Sequence, residues 1–422
     1  MEGTVERLVR YAQVHTDSEP GHHTRPSTPW QIDLTKMLHD EMTAIGISNV
    51  RMDDMGYVYG EIPATKGCED APAIGFIAHI DTAPDFTGLN VHPRVIENYD
   101  GEAIELGAGR VLDPKQFPHL KNLKGDTLVV TDGTTLLGGD DKAGVAVIMT
   151  ACEKLLNSDM PHGKVCVAFN PDEEIGEGPW DFDVDALGAD FAYTIDFTRA
   201  GDIIYECFNA SAVEINIRGF NIHPGKAKGT MINAGLVATE LASMFPLNET
   251  PRETEGYEGF FHLSSITGNT EKAILRWIIR DHDYEKFQAR EQLMRDAVAA
   301  MNAKYGEGTV TCEIKQQYRN MAEEIKKHFH LIENAIDAAR EAGVEPHVVP
   351  MRGGTDGAQL TMKKGLPCPN LGEGDYCGHG PYEHVSKREM DQTVNIVLGI
   401  IRRYAKPGAA PEWKKEDRRS NR

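Results

Sequence analysis

Five separated stretches of the chain carry side chains that can hold a metal ion or move a proton. In Ala78-His79-Ile80-Asp81-Thr82 an imidazole and a carboxylate stand two residues apart. On extended backbone both point to one face, so one can bind metal while the other fixes the imidazole tautomer by a hydrogen bond. Leu137-Gly138-Gly139-Asp140-Asp141-Lys142-Ala143-Gly144 sets two carboxylates between glycines, where backbone can come close to another group. Asn170-Pro171-Asp172-Glu173-Glu174-Ile175-Gly176 follows an apolar run. Of its adjacent glutamates, one can ligate metal while the other acts as general base on activated water. Asp196 closes another apolar run, and His379 sits in the glycine-rich Cys377-Gly378-His379-Gly380-Pro381-Tyr382-Glu383. Taken singly, each stretch is also what a strand end, an N-capping aspartate or a solvated turn carries. Taken together, two histidines and three carboxylates suit two zinc ions that share one carboxylate.

Groups so far apart in sequence need a scaffold that gathers them. Helical spacing predicts helices over 5–14 and 29–45, the second with Thr28 as N-cap and Pro29 in its first position. The polar segment 21–27 is a loop between them. Alternation predicts a strand over 50–62, and short apolar runs predict buried strands over 73–79, 164–170 and 191–196, with a helix over 144–158. This order predicts an α/β catalytic domain with a mostly parallel central sheet flanked by helices. Several candidate residues then fall at the carboxyl ends of strands, where open α/β sheets form their sites.

From residue 211 the pattern changes. A strand over 211–218, a helix over 231–244, strands over 262–267 and 272–280, a helix over 284–305 and a strand over 310–317 follow the split β-α-β order. They predict a smaller inserted α+β (ferredoxin-like) domain, 211–319, inside a catalytic domain made of 1–210 and 320–422. A helix over 328–342, a strand over 347–351 and a closing helix over 392–404 return to the larger domain, and the charged tail from Lys414 is expected to fray.

A length of 422 residues is too great for one core. The net charge of −21 argues against a nucleic-acid partner, which selects a basic face. Cys68, Cys152, Cys166, Cys207, Cys312, Cys368 and Cys377 are scattered, odd in number and without a C-x-x-C pair, as in free thiols of a reducing compartment. Residues 1–11 read as an amphipathic helix without a signal-peptide core. No stretch approaches the ~18 apolar residues of a membrane span. A cytoplasmic protein without a membrane or nucleic-acid partner is expected.

The wording of these motifs resembles the peptidase T branch of the di-zinc exopeptidases, the family that includes carboxypeptidase G and succinyl-diaminopimelate desuccinylase. The resemblance runs along nearly the whole chain, through STPWQ, HIDTAPD, LLGGDDKAG, PDEEIG, HPGKAKG, TEGYEGF, IIRD, RGGTDGAQL and LPCPNL. It implies two Zn2+ per subunit, with Asp140 shared, His79 and Asp196 completing one ion, and Glu174 and His379 the other. It implies that Asp81 orients His79 and that Glu173 is the general base, passing a proton from water to the leaving amine. It implies that His223 of Ile222-His223-Pro224-Gly225 helps hold the oxyanion, that Arg280 and Arg352 pair with the substrate's terminal carboxylate, and that the inserted domain is a lid and homodimer interface. The activity implied is that of a metallo-aminopeptidase releasing the N-terminal residue from short peptides such as tripeptides.

The chain also departs from that pattern. Phe197-Thr198-Arg199 stands where relatives run into glycines, Pro381-Tyr382 replaces the usual Lys-His, and His384 is the aromatic that follows. These changes flank ligands without removing any, and they bear on the amino-terminal pocket. They keep open a related zinc-dependent amidase or deacylase acting on N-acyl amino acids or modified dipeptides. A non-catalytic binding protein of this fold is disfavoured by an intact Glu173 and all five ligands.

Overall fold

Ile74–His79, Val165–Asn170 and Phe191–Ile195 are buried at every residue. Strands covered on both faces read as unbroken apolar runs, and here they form the centre of an eight-stranded sheet. The computed structural model describes residues 1–414 and residue 416. Apart from Lys414 and Glu416, the expected frayed tail lies outside the described residues. The strand order is Ser48–Met52, Val58–Ile62, Val165–Asn170, Ile74–His79, Phe191–Ile195, Asn370–Leu371, Asp202–Ile204 and His347–Val348. The sheet is mixed. Its centre, from Val165–Asn170 to Asn370–Leu371, is parallel, as is the last pair, while the Ser48–Met52 and Val58–Ile62 edge and the join at Asp202–Ile204 are antiparallel.

Several elements differ in extent from the sequence expectation. The stretch 50–62 is two strands, not one, because Asp53 Oδ1 accepts the N–H groups of Met55 and Tyr57 and closes a hairpin turn. The second helix is Gln31–Ile45 and begins without a side-chain cap. The Thr28 hydroxyl instead donates to the Asp17 carbonyl. The helix expected over 144–158 is Gly139–Leu156, with a kink in its first turn where Asp140 and Asp141 leave helical conformation. The closing helix, Lys387–Tyr404, starts where the Ser386 side chain accepts the Glu389 N–H. A helix Asp356–Lys364 and a second four-stranded sheet, in the order Asp375–Tyr376, His384–Ser386, Leu128–Val130 and Arg94–Ile96, had no counterpart in the reading. Gly139–Leu156 is buried along most of its length and packs on Ile74–His79, Thr4–Ala12 and Lys387–Tyr404.

The chain divides into two compact units, one of Met1–Tyr205, Glu323–Val349 and Thr355–Arg422, the other of Glu206–Ala322 and Pro350–Gly354. The smaller unit is a four-stranded antiparallel sheet in the order Phe260–Gly268, Lys272–Asp281, Asn209–Arg218 and Val310–Tyr318. Helices Ala234–Ala242 and Tyr284–Tyr305 pack on it over a core that includes Val213, Ile215, Leu275, Ile279, Phe287 and Met294. That is the ferredoxin-like order of strands. Relative to the expected 211–319, this unit also takes in Pro350–Gly354, and with it Arg352. The seven cysteines carry free thiols. Among the described residues no helix is long and apolar enough to cross a membrane.

Candidate active site and metal centre

Three neighbouring parallel strands deliver the first groups at their carboxyl ends. Ile74–His79 ends on His79, Val165–Asn170 runs into Pro171-Asp172-Glu173-Glu174, and Phe191–Ile195 is followed by Asp196. Asp81 stitches two of these ends together. Its Oδ1 and Oδ2 accept the N–H groups of Glu173 and Glu174 at 2.9 and 3.2 Å. The same Oδ1 lies 3.3 Å from His79 Nδ1, and the Asp81 carbonyl oxygen lies 3.1 Å from it. Acceptors on that side hold the proton on Nδ1 and leave Nε2 as the ligating atom. Asp172 anchors the glutamate loop from behind, accepting from Ser27 N, Ser27 Oγ and Gln31 Nε2. The STPWQ string is therefore a clamp on PDEEIG.

Asp140 arrives on the turn that opens Gly139–Leu156. Gly138 has φ +78°, a left-handed conformation that L side chains rarely adopt. The Glu383 carboxylate accepts the N–H groups of Leu137, Gly138 and Asp140 and fixes the turn. A Cβ at Gly144 would run into the Ile195 carbonyl and the Asp141 carboxylate, so only glycine lets this helix lie so close to the strand that precedes Asp196. Asp140 then sits between the two histidines. Its Oδ1 is 3.0 Å from His79 Nε2 and its Oδ2 is 3.3 Å from His379 Nε2. His379 Nε2 is also 3.1 Å from Glu174 Oε2. Asp172, Cys377 and His379 all have positive φ without being glycine. Such conformations cost about 1–3 kcal/mol each and gather at functional sites.

Ligand atoms of His79, Asp140 and Glu174 lie within 4.8 Å of one another, as do those of His79, Asp141 and Asp196. The five expected ligands thus meet in one place, with Asp140 between the histidines and Asp196 joined through His79 and Asp141. Asp141, Asp356, Glu373, Asp375 and Glu383, none of them among the expected site residues, add buried carboxylates. Burial, then the Asp140 charge, pushes Glu174 up to about 8 and Asp196 up to about 6. Burial, then the Asp356 charge, raises Glu173 well above the usual glutamate range. Hydrogen bonds to His379 and His79 overcome burial and hold Asp140 below the ordinary carboxylate range. Glu174 Oε1 is buried and, among the described residues, has no hydrogen-bond partner. Two imidazoles among crowded carboxylates with an orphan oxygen form a donor set that divalent cations neutralise.

The model of Peptidase family M20/M25/M40 matches residues 131–403. The chain belongs to that peptidase family. Within the family it is 50% identical to Peptidase T of Clostridium perfringens over 402 residues, 95% of this chain and 98% of that one. It is 49% identical to Peptidase T of Geobacillus kaustophilus over 403 residues, again 95% and 98%. Among solved structures, the aminopeptidase PepT of Bacillus cereus superposes with a TM-score of 0.76 at 23% identity, covering 96% of this chain and 98% of that one.

The remaining expected residues of this M20/M25/M40 peptidase lie in the smaller unit. His223 is exposed, and its Nδ1 accepts the Gly225 N–H at 3.1 Å. A neutral ring held this way carries its proton on Nε2. Arg280 donates to the carbonyls of Ser211 and Ile279 and to Gln317 Oε1, against the Tyr318 ring. Arg352 donates to the carbonyls of Gly256 and Glu258 and to Thr254 Oγ1, over Phe208 and Phe260. The TEGYEGF string is thereby the cradle of Arg352. Among the described residues neither arginine forms an ion pair.

Proposed function

We propose that the chain is a metallo-aminopeptidase that releases the N-terminal residue from short peptides, tripeptides foremost. The observation that carries the reading is half identity along nearly the whole chain to proteins named Peptidase T. Two Zn2+ per subunit suit the donors, with Asp140 shared, His79 and Asp196 on one ion, and Glu174 and His379 on the other. Zinc bound there supplies a Lewis acid that acidifies water and polarises the scissile carbonyl. Glu173 removes the proton from the attacking water and returns it to the leaving amine. Asp81 keeps His79 in its ligating tautomer and holds the glutamate loop through two backbone N–H groups. His223, with its proton on Nε2, is a donor suited to the developing oxyanion. Arg280 and Arg352 suit a terminal carboxylate, which a guanidinium meets with two parallel hydrogen bonds. Seven free thiols agree with work in a reducing, cytoplasmic setting, and the smaller unit is proposed as lid and homodimer interface.

A panel of di- and tripeptides, offered free, N-acetylated and C-terminally amidated, tests the reading. Free tripeptides should turn over fastest, N-acetylation should abolish cleavage, and amidation should raise KM. Preferred cleavage of the N-acetyl compounds would replace the aminopeptidase by the zinc amidase, a reading favoured only by Phe197-Thr198-Arg199.

A further inference from the structure

A third group of ligand atoms borders the carboxylate-rich centre. The ring nitrogens of His119 and His384 and the sulfur of Cys377 lie within 4.8 Å of one another. His119 comes from the short 3-10 helix Pro118–Leu123, Cys377 follows the strand Asp375–Tyr376, and His384 opens the strand His384–Ser386. None of the three is a ligand of the proposed di-zinc centre.

The histidines are set up as ligands. His384 is fully buried, and its Nδ1 lies 2.8 Å from the Tyr382 carbonyl oxygen. A ring nitrogen beside a carbonyl carries the proton, so His384 Nε2 presents a bare lone pair. That lone pair accepts a hydrogen bond from His119 Nε2 at 2.9 Å, so His119 takes the Nδ1–H tautomer when both Nε2 atoms ligate. A main-chain carbonyl on the far nitrogen is the support that metal-binding histidines characteristically have. The His119 ring lies against both Tyr376 and His384, with ring centroids at 4.5 and 5.0 Å and planes within 9°, and those two rings also stack on each other at 5.6 Å. Burial pushes His384 down to about 4 and lowers His119 as well. Both rings are therefore neutral, the form that ligates.

We propose that His119 Nε2, His384 Nε2 and Cys377 Sγ form a separate site for a borderline transition cation of the zinc class. Two imidazoles and a thiolate are donors such ions take in tetrahedral sites, with the fourth position open to water. Binding releases the thiol proton to solvent and moves the His119 proton from Nε2 to Nδ1, the cation taking the place of both on the ligand atoms. The site closes the loop from Cys377 to His384 at both ends, and that loop carries His379. Its role is to hold that loop in the left-handed conformations of Cys377 and His379.

Cobalt tests this without dismantling the enzyme, because full-length protein can be produced in cobalt-supplemented medium. The proposed catalytic donors include no sulfur, so thiolate-to-cobalt absorption in the near ultraviolet does not come from them, whatever becomes of the aminopeptidase reading, and its dependence on Cys377 assigns it to this site among the seven free thiols. The expected result is such an absorption, with one more metal per chain by elemental analysis than in Cys377→Ala. The absorption should vanish in Cys377→Ala and in His119→Ala. His384→Phe should lose it too, and since that ring is buried, the half-buried His119 carries the test should that variant fail to fold. Absence of the absorption in the parent protein would overturn the proposal. So would its persistence in Cys377→Ala or in His119→Ala.

Discussion

At the scale of single residues, the site divides labour between neighbours of like chemistry. Glu173 and Glu174 both hang from Asp81 by their backbone N–H groups, yet only Glu174 has an oxygen on His379. On the proposed reading, that difference leaves Glu173 for proton transfer. Glu173→Gln should lower kcat by ~10²–10⁴ while metal content stays at the parental level. Ordinary turnover by this variant would mean that base and ligand have been exchanged. Asp140 reaches both histidines with its two oxygens, whereas His379 serves one side only. Elemental analysis should therefore find both metals depleted in Asp140→Ala but mainly one in His379→Ala. Equal loss in the two variants would count against a shared carboxylate. The five expected ligands could be singled out because His79, Glu174 and Asp196 fall at or just after the carboxyl ends of apolar runs, and Asp140 and His379 among glycines. Glu383 and Asp356 were not. Glu383 acts through three backbone N–H groups, and Asp356 through the Asn170 side chain, and neither arrangement leaves a pattern in sequence.

At the scale of elements, the approach of the helix Gly139–Leu156 to the strand Phe191–Ile195 sets the spacing of Asp140 and Asp196. Gly144 sits at that approach, with the Ile195 carbonyl where a Cβ would go. Gly144→Ala should force the helix outward at a cost of about 1–3 kcal/mol, typical of overpacking. It should also weaken metal retention although no ligand is changed. Parental stability in urea together with parental metal content would sink this account. The buried parallel strands were visible in the sequence as unbroken apolar runs. The hairpin at Asp53 was not, since alternation continues across a turn closed by one aspartate. The helix Asp356–Lys364 was hidden for a related reason, since it starts inside RGGTDGAQL, a string whose glycines and polar residues read as loop. The small sheet of Arg94–Ile96, Leu128–Val130, Asp375–Tyr376 and His384–Ser386 joins pieces of two or three residues, too short to show a period.

At the scale of the whole molecule, a net charge of −21 is not only a solvated surface, because the centre packs carboxylates where water is scarce. Burial, and for Glu174 and Asp196 next the Asp140 charge, raises Glu174 to about 8, Asp356 to about 7 and Asp196 to about 6. A carboxyl whose folded pKa lies above its unfolded value of about 4 binds more protons when folded. Its contribution is complete at low pH and is lost as pH climbs through the folded value. His379, raised to about 11 by its bonds to Asp140 and Glu174, acts in the same direction above its unfolded value of about 6.5. Asp140 is shifted downward, so its contribution is already complete throughout that range. Chelator-treated protein should therefore lose thermal stability steadily from about pH 5 to about pH 8. Zinc-loaded protein should lose much less over the same range, since bound cations take the place of those protons. Melting curves at a series of pH values, with chelator and with zinc, decide the matter. Parallel profiles would show that the crowded carboxylates are relieved by something other than metal, and a chelated protein equally stable at both ends would remove the crowding itself from the explanation.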